Sequence, residues 1–315
     1  MPTESLPAGS SPAEGRTAGP LSTGSLTDAQ VPAYVAGLGL PGLADIHVHF
    51  MPDRVLQKVW AFFDAHGRSL GRDWPIHYRL PEDERLDVVR ALGLRGIPSL
   101  TYAHRPGMAV WLNEWCAEFA TRVPDAVPSG TFYAEPGAGD YVATALERGA
   151  RLFKVHVQVG RFDPADRQLD TSWGQVQDAQ VPVVIHAGSA PHPGEHTGPE
   201  PIARLLERFP RLVLVIAHLG MDEYHAFADL AERYPGVHLD TTMSGTDYVA
   251  ELAPLPLDYL PRLRDLGDKV VLGADFPNIP YPYAHQLHAL ARLGLGDDWL
   301  RAVLWHNGAR LMRLT

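Results

Sequence analysis

The sequence predicts an α/β fold, a (β/α)8 barrel of the TIM type, from three observations. Short β-branched or apolar runs alternate with longer amphipathic segments, as expected of strand and helix units around a parallel sheet. The candidate strands number eight, which is the strand count of such a barrel. No linker rich in Gly, Ser or Pro interrupts the middle of the chain, so a division into two domains is disfavoured.

The candidate strands and helices follow one another along the chain in the order that a barrel requires. The strands are predicted at residues 43–48, 96–102, 127–133, 152–157, 181–186, 212–218, 237–240 and 270–273. The helices between them include residues 82–92, 109–122, 141–148, 199–209, 224–234 and 283–293, several with Pro or Gly at their borders. A doubly wound sheet is the alternative, but no Gly-x-Gly-x-x-Gly motif follows an early strand to support nucleotide binding.

Composition limits the classes of partner. A chain of 315 residues with 45% hydrophobic and 20% charged residues can bury a sizeable core. The formal net charge is −10 and no dense Lys/Arg cluster is present, so we expect a small-molecule substrate and no nucleic acid. Cys116 is the only cysteine, so any metal site must be built from His and carboxylate ligands.

The N-terminal part of the chain differs in composition from the rest. Its first thirty or so residues are rich in Ser, Gly, Pro, Ala and Thr and lack the basic start and apolar core of a signal peptide. We interpret residues 1–38 as a disordered tail and residues 39–315 as the barrel. No apolar run approaches the roughly 18 residues of a membrane span, so we expect a cytoplasmic protein without membrane contact.

Two histidines stand at the end of the first candidate strand, in the run Ala-Asp-Ile-His-Val-His-Phe. Residues i and i+2 of a strand point to the same side, so His47 and His49 present two imidazoles in one direction. One metal ion can bind both rings. Packing within a half-buried strand explains the pair equally well, so other residues must decide.

Three further polar residues lie where later strands end. His186 and His218 close the apolar runs of the fifth and sixth candidate strands, and Asp275 follows the eighth. Barrel enzymes build their active sites at this rim, and the last strand lies beside the first. Each residue alone has an ordinary structural explanation, such as an Asx turn for Asp275, but together they favour a site.

These five residues, in this strand order, resemble the amidohydrolase superfamily. More narrowly, the chain is similar to the amidohydrolase-related branch that includes aminocarboxymuconate-semialdehyde decarboxylase and aromatic-acid decarboxylases. The resemblance covers nearly everything after the tail. It is supported by the runs Lys154-Val155-His156, Ala217-His218-Leu219-Gly220, Gly273-Ala274-Asp275-Phe276-Pro277 and Asn307-Gly308-Ala309-Arg310-Leu311.

The resemblance implies one divalent metal ion, usually Zn²⁺, with Mn²⁺ or Fe²⁺ compatible with the same ligand types. The ligands that it implies are His47, His49, His186 and Asp275. Lys154 raises the question of a second metal, because binuclear relatives carry a carbamylated lysine on this strand. Its context, Phe-Lys-Val-His, favours one metal. Members of the branch are often dimers, so a homodimer is an expectation of the resemblance.

The resemblance also implies the catalytic residues His218, as an acid/base or orienting group, and Asp275, as a proton acceptor. The first hypothesis for function is a metal-dependent hydrolase of an ester, lactone or amide. The alternative is a nonoxidative decarboxylase of a small carboxylic acid, which Arg105 or Arg161 would support by binding a carboxylate. A non-enzymatic barrel would be favoured if one of the five residues were missing, and none is.

The residues around the predicted rim allow two interpretations. Tyr102, His104, Arg105 and Arg161 follow rim strands and either overhang the site or are solvated loop residues.

Other motifs have simpler explanations. The loop that contains His192 and His196 is either a lid or a connection. The spacing of Trp111, Trp115 and Phe119 predicts one helical face packed into the shell. His285 and His288 are interpreted as surface or packing residues.

Overall fold

Parallel strands and helices alternate around a barrel in the computed structural model, which describes residues 26–66 and 73–315. The strands are Ile97–Pro98 (β1), Ala126–Val127 (β2), Ser129–Thr131 (β3), Leu152–His156 (β4), Val183–His186 (β5), Leu214–Ile216 (β6), Val237–Asp240 (β7) and Val270–Val271 (β8). Strands β3 to β8 form one parallel sheet in sequence order, and β1 pairs with β2 separately. This succession of parallel strands with helical crossovers confirms the predicted (β/α)8 fold class.

The first predicted strand is an extended segment that closes the barrel without a continuous ladder. We call residues 43–50 the closing segment. It makes isolated parallel bridges on both sides, Leu43 with Leu94 and Val48 with Phe276. The Ile46 N–H also donates to the Leu272 carbonyl at 2.9 Å. The closing segment therefore lies between β8 and β1 and is connected to each side by single bonds.

Pro128 divides the third predicted strand, residues 127–133, into β2 and β3. Proline has no N–H to donate, so it interrupts a ladder. Its carbonyl still accepts a hydrogen bond from the Arg151 N–H at 2.8 Å. Because β2 pairs back to β1 while β3 pairs forward to β4, the irregular part of the wall meets the continuous sheet at this proline.

The six predicted helices are all present, with bounds within three residues of those predicted. Their apolar faces explain their orientation: in the helix that begins at Pro199, Ile202, Leu205 and Leu206 are buried at helical spacing. No helix of the described residues has the length and apolar character needed to cross a membrane. The helices are Val31–Gly37 (α1), Asp53–His66 (α2), Glu82–Ala91 (α3), Met108–Arg122 (α4), Ala138–Glu147 (α5), Val157–Gly160 (α6), Asp170–Asp178 (α7), Pro199–Arg208 (α8), Tyr224–Arg233 (α9), Leu260–Asp265 (α10), Tyr283–Arg292 (α11), Asp297–Arg301 (α12) and Asn307–Met312 (α13), with short 3₁₀ turns at Asp28–Gln30, Arg167–Leu169, Ala217–Gly220 and Leu257–Tyr259 and a π-helical turn at Ala302–His306.

The predicted tail of residues 1–38 requires a correction at its C-terminal end. Residues 1–25 lie outside the described residues, but a 3₁₀ turn and helix α1 occupy 28–37. Val31 and Val35, four residues apart, are both buried against the barrel. Asp28 accepts hydrogen bonds from the Ala284 N–H at 2.8 Å and from the Tyr78 hydroxyl. This segment is therefore packed onto the barrel, although the Ser/Gly/Pro-rich stretch before it suggested otherwise.

Two apolar clusters occupy the two faces of the strands. The larger lies between the strands and the helices and includes Phe153 and Val155 of β4. The smaller fills the barrel interior, with residues from the closing segment, from β2, β4, β5, β6 and β8 and from the last helix. Its buried members are Ala44, Ile46, Leu100, Val127, Leu152, Val184, Val215, Ala217, Val271, Ala309 and Met312.

Candidate metal centre

A cavity of about 1050 Å³ opens above this interior cluster, at the carboxyl ends of the strands. All of the residues that the sequence predicted for the site contribute to its lining, together with residues from the surrounding loops and from α2. The predicted residues are His47, His49, His186, His218 and Asp275.

A local shift in the closing segment turns two histidines into the cavity. Ala44 and Ile46 belong to the interior cluster, so simple alternation would direct residue 48 inward next. The inward positions instead become His47 and His49, both of which line the cavity. The Asp45 carboxylate stabilises the shift, because its Oδ1 accepts a hydrogen bond from the His47 backbone N–H at 2.9 Å.

Asp45 is itself fully buried, and Tyr283 supports it. The Tyr283 hydroxyl donates to Asp45 Oδ2 at 2.7 Å. Burial raises the pKa of Asp45 to about 8, with the Tyr283 hydrogen bond opposing the increase. Each oxygen of the Asp45 carboxyl group thus accepts one hydrogen bond, Oδ1 from the His47 N–H and Oδ2 from the Tyr283 hydroxyl.

Hydrogen bonds fix which nitrogen of each histidine faces the cavity. His49 Nδ1 lies 2.8 Å from the Leu100 carbonyl, which can only accept, so Nδ1 carries the proton and Nε2 the lone pair. His47 Nδ1 lies 2.9 Å from Asp240 Oδ2, and its Nε2 lies 2.9 Å from Lys154 Nζ. Both imidazoles therefore turn Nε2 towards the cavity. Histidines that bind metals commonly have this arrangement, in which a hydrogen bond to the other nitrogen fixes the ring.

Asp275 places a carboxylate opposite these two nitrogens. Its backbone has a positive φ of 65°, and its N–H donates to the His47 carbonyl at 2.8 Å. Its Oδ1 lies 2.8 Å from His49 Nε2 and 3.7 Å from His47 Nε2. Burial opposes ionisation, but the contact with His49 and the nearby His47 hold the pKa of Asp275 below its usual value. One donor atom from each of the three residues lies within 4.8 Å of the others.

The chemistry of this donor set fits a divalent cation. With the His49 proton on Nδ1, the Nε2 lone pair faces a carboxylate oxygen of Asp275 at 2.8 Å. Two electron pairs at that distance require a proton or a cation between them. Two imidazole nitrogens and a carboxylate suit Zn²⁺ and are also compatible with Mn²⁺ or Fe²⁺.

A closed circuit of six aromatic side chains surrounds the centre. Consecutive ring centroids around the circuit lie between 4.1 and 5.8 Å apart. Five of the six are histidines from strand ends, so the barrel geometry itself assembles them. In order, the members are His47, His49, Tyr102, His156, His186 and His218.

His186 and His218 complete the circuit without joining the three-residue donor set. The His186 ring stacks on His156 at 4.1 Å, and its Nε2 lies 3.4 Å from the Ala190 carbonyl. Burial lowers the pKa of both His186 and His156 well below 6.5, so both rings are neutral at pH 7. His218 has a positive φ of 59°, which brings its ring to 5.4 Å from that of His47.

The sequence analysis missed Asp240, which is the hub of the hydrogen bonding beneath the site. Its carboxylate accepts from His47 Nδ1 and from the backbone N–H groups of His218, at 2.9 Å each, and of Thr242, at 3.0 Å. Asp240 is fully buried. Gly273 permits this arrangement, because a Cβ there would lie 2.3 Å from Thr242 Oγ1 and 2.9 Å from Asp240 Oδ1. A signal existed: Asp240 ends its strand at the rim, as His186 does.

Lys154 is buried beside the donor set. Its Nζ donates to His47 Nε2 at 2.9 Å. Burial lowers the pKa of Lys154 to about 8, although the charges of Asp240 and Asp275 oppose the decrease. The ammonium thus lies next to the position that a cation bound by His47 would occupy.

The other predicted rim residues divide into two groups. Tyr102 belongs to the circuit, and His104, Arg105, Arg161 and His192 line the cavity above it. His196 does not line it, and neither do His285 and His288, which the sequence analysis interpreted as surface or packing residues.

The aromatic stripe of α4 requires a partial correction. Phe119 is fully buried and stacks with Trp115 at 5.2 Å, as a packed face should. Trp111 instead lines the cavity, with the Arg54 guanidinium 3.9 Å from the centroid of its ring. The helix therefore packs at its C-terminal end and borders the site at its N-terminal end.

Comparison with known proteins gives a family for this arrangement. A family model described as Amidohydrolase matches residues 44–314. No curated protein matches the chain.

Several solved structures share the fold. An uncharacterised TIM-barrel protein from Bordetella bronchiseptica is 21% identical, with a TM-score of 0.70 over 86% of this chain and 98% of its own. A protein from Pseudomonas putida, provisionally named 2-pyrone-4,6-dicarboxylic acid hydrolase, is 15% identical, with a TM-score of 0.54 over 87% and 98%. The 5-carboxyvanillate decarboxylase of Novosphingobium aromaticivorans, solved with manganese and a nitrobenzoic acid, is 14% identical, with a TM-score of 0.56 over 88% and 97%.

Proposed function

Since the chain belongs to the amidohydrolase family, we propose that it is a metal-dependent hydrolase that cleaves an ester, lactone or amide of a small organic substrate. The observation that carries the proposal is the convergence of His47 Nε2, His49 Nε2 and an Asp275 oxygen within 4.8 Å of one another at the floor of the cavity. The family is metal-dependent, and these three donors are accessible to a substrate from above.

We assign the divalent ion, Zn²⁺ in the first instance, to His47, His49 and Asp275, with His186 as the fourth ligand. His186 is neutral at pH 7 and neighbours the set through His218. A bound divalent ion would polarise a carbonyl oxygen and acidify a water molecule. Asp240 and the Leu100 carbonyl hold the two imidazoles in the orientation that this requires.

Proton transfer is assigned to two residues of this chain. Asp275 is ionised at neutral pH and its carboxylate borders both Nε2 atoms, so it accepts a proton from the attacking water. Burial lowers the pKa of His218, which keeps its ring neutral and able to hydrogen bond with the substrate oxygen. Its backbone bond to Asp240, at 2.9 Å, fixes the position of the ring.

The alternative function is a nonoxidative decarboxylase of a small carboxylic acid. Lys154 favours it, because a buried ammonium 2.9 Å from His47 Nε2 is placed to pair with a substrate carboxylate beside the centre. The same histidines and Asp275 would serve both reactions. The distinction therefore depends on which bond of the substrate lies over Asp275.

The metal content of the purified full-length chain tests the assignment of the centre. Elemental analysis should find about one divalent ion per chain. His49→Gln should lower the occupancy, whereas His285→Gln, which changes a histidine outside the cavity, should not. An unchanged metal content in His49→Gln would contradict the proposed ligand set.

A substrate panel separates the two reactions. Lactones and esters are assayed for proton release, amides for release of the amine, and aryl and muconate-type carboxylates for release of carbon dioxide. Hydrolysis of any lactone, ester or amide that is lost in Asp275→Asn would support the main proposal. Carbon dioxide release without hydrolysis would replace it with the alternative.

A further inference from the structure

The outer part of the cavity carries a different charge from the rest of the protein. Arg54 and Lys58 of α2, Arg105 before α4 and Arg161 after α6 all line it and are exposed. We call these four residues the rim cations. Asp275, at the floor, is the only carboxylate among the described residues that line the cavity. In a chain with a formal net charge of −10, the opening is thus distinctly basic.

Within the described part of the chain, the rim cations are also left without carboxylate partners. Among residues 26–66 and 73–315, none of the four forms an ion pair, and Arg54 instead lies over the ring of Trp111. Burial and then the charges of Arg105 and Lys58 lower the pKa of His104, as expected of cations that face one opening. Arginines elsewhere on the surface are commonly paired at 2.7 Å, as in Arg79–Asp64, Arg90–Asp125 and Arg204–Asp163.

An apolar face of α2 lines the same cavity as the rim cations and the metal centre. Helix α2 presents Val55, Val59 and Phe62 to the cavity at positions i, i+4 and i+7, so they form one face of the helix. Trp74 and Trp111 line the same cavity. Phe62 is 52% exposed, so a ligand that packs on this face would remove its ring from water.

The size of the cavity indicates how much of this wall a substrate covers. Ligand cavities typically measure about 300 to 1000 Å³, and this one measures about 1050 Å³. A small acid bound at the floor would leave the face of α2 and the rim cations in water. A substrate that fills the cavity must instead extend from His49 past Val59 to the opening.

We propose that the site takes an amphipathic anion. Its reacting bond lies at His47, His49 and Asp275, its aliphatic or aromatic body packs on the face of α2, and its anionic group binds the rim cations. This inference rests on the proposed function for the reacting end only. A carboxylate, a sulfonate and a phosphate monoester share the chemistry that the rim recognises.

Calorimetric binding to the full-length, metal-loaded protein tests the proposal with defined probes. Octanesulfonate supplies both features, methanesulfonate only the anion, and octanol only the apolar body. We expect octanesulfonate to bind at least about 100-fold more tightly than methanesulfonate, because seven methylenes leave water. It should bind about 10-fold more tightly than octanol, and the preference over octanol should weaken as salt is added. Octanoate and octyl phosphate then identify which anionic group is preferred.

Matched variants locate the binding. Arg105→Gln combined with Arg161→Gln should weaken octanesulfonate binding about 5- to 20-fold and leave octanol binding unchanged. Phe62→Ala should weaken both probes. Arg264→Gln removes an exposed arginine of α10 outside the cavity and should change neither.

Equal binding of octanesulfonate and octanol would overturn the proposal, and so would an anion preference that survives both the double variant and the further changes Arg54→Gln and Lys58→Gln. The second outcome would mean that the anion binds the metal centre instead of the rim. Binding does not require turnover, so these results stand apart from the substrate panel. If the protein hydrolyses a substrate but its binding does not depend on the rim cations, only the amphipathic-anion proposal is rejected. If binding depends on the rim cations but no hydrolysis is found, only the proposed reaction is rejected.

Discussion

The six-stranded sheet and the closing segment both form the barrel wall, but different interactions hold them. Strands β3 to β8 pair without interruption, so backbone ladders support each of them. The closing segment makes isolated bridges and single backbone hydrogen bonds in place of a ladder, and side-chain bonds from Asp45, His47 and His49 add to them. Its site residues are therefore also wall residues, whereas His186 stands at the end of a ladder that the rest of β5 maintains. In the sheet, a site residue can therefore be changed without loss of the strand that carries it. In the closing segment, the proposed metal ligands also hold the wall.

Asp275→Asn should have the largest effect. Asp275 lies where the sheet meets the closing segment, and the variant tests whether activity can be lost there while the fold is kept. Loss of the proton acceptor should lower kcat/KM by about 10²- to 10⁴-fold. The fold should survive, because Asn tolerates positive φ and the backbone bond to the His47 carbonyl is unchanged. Steady-state kinetics and thermal unfolding measure the two effects. Full activity in this variant would exclude Asp275 from the reaction.

Asp240→Ala should break the link between the sheet and the closing segment. It leaves His47 Nδ1 and the His218 N–H without their buried acceptor, at a cost of about 3 to 5 kcal/mol in the free energy of unfolding. Metal affinity should fall about 10- to 100-fold.

Urea unfolding and metal titration measure both quantities for Asp240→Ala. Asp178→Ala is the control, since its ion pair with Arg211 is exposed and should contribute less than about 1 kcal/mol. Equal losses in the two variants would contradict the special role of Asp240.

His238 makes the stability of the sheet depend on pH. Burial lowers its pKa from 6.5 to about 4 in the folded chain, so the unfolded chain binds the proton first as pH falls. The stabilisation from neutral His238 is present above pH 6.5 and is lost between pH 6.5 and 4, by about 2 kcal/mol at pH 5. Urea unfolding at pH 7.5 and pH 5 should show a smaller loss in His238→Gln. An identical loss in both proteins would mean that His238 is not the group responsible.

Tyr283→Phe should have the smallest effect and tests the closing segment from outside the cavity. It removes the hydroxyl that donates to Asp45, so the free energy of unfolding should fall by about 1 kcal/mol. Tyr34→Phe is a matched control, because the buried Tyr34 hydroxyl has no hydrogen-bond partner among the described residues. If chemical denaturation finds the two variants equally stable, Asp45 does not need Tyr283.

The sequence was sufficient to predict features that depend on local pattern. Apolar runs that end in His or Asp identified the strand ends, and the barrel fold then placed those ends at one rim. The neighbourhood of Asp275 and the His47–His49 pair follows from that topology alone. Asp240 carries the same signal at the end of β7, so its place at the rim was visible in the sequence although its role was missed.

Other features depend on tertiary contacts and carry no local signal. The inward shift at His47 requires the buried Asp45 side chain, and the positive φ of His218 requires the Asp240 carboxylate behind it. The interruption at Pro128 was visible as a residue, but its role in changing the pairing partner of the strand was not. These details determine which nitrogen and which ring enter the cavity.

The hydrogen bonds of Asp28 have a practical consequence for recombinant work. The family match begins at residue 44, which makes that residue an obvious first position for a shortened recombinant protein. Asp28, sixteen residues earlier, accepts from Tyr78 and from the first turn of α11, whose Tyr283 supports Asp45. A clone cut at the alignment boundary would retain every metal ligand and lose an anchor of the element that orients them. Expression vectors should therefore preserve the chain from residue 26 onward.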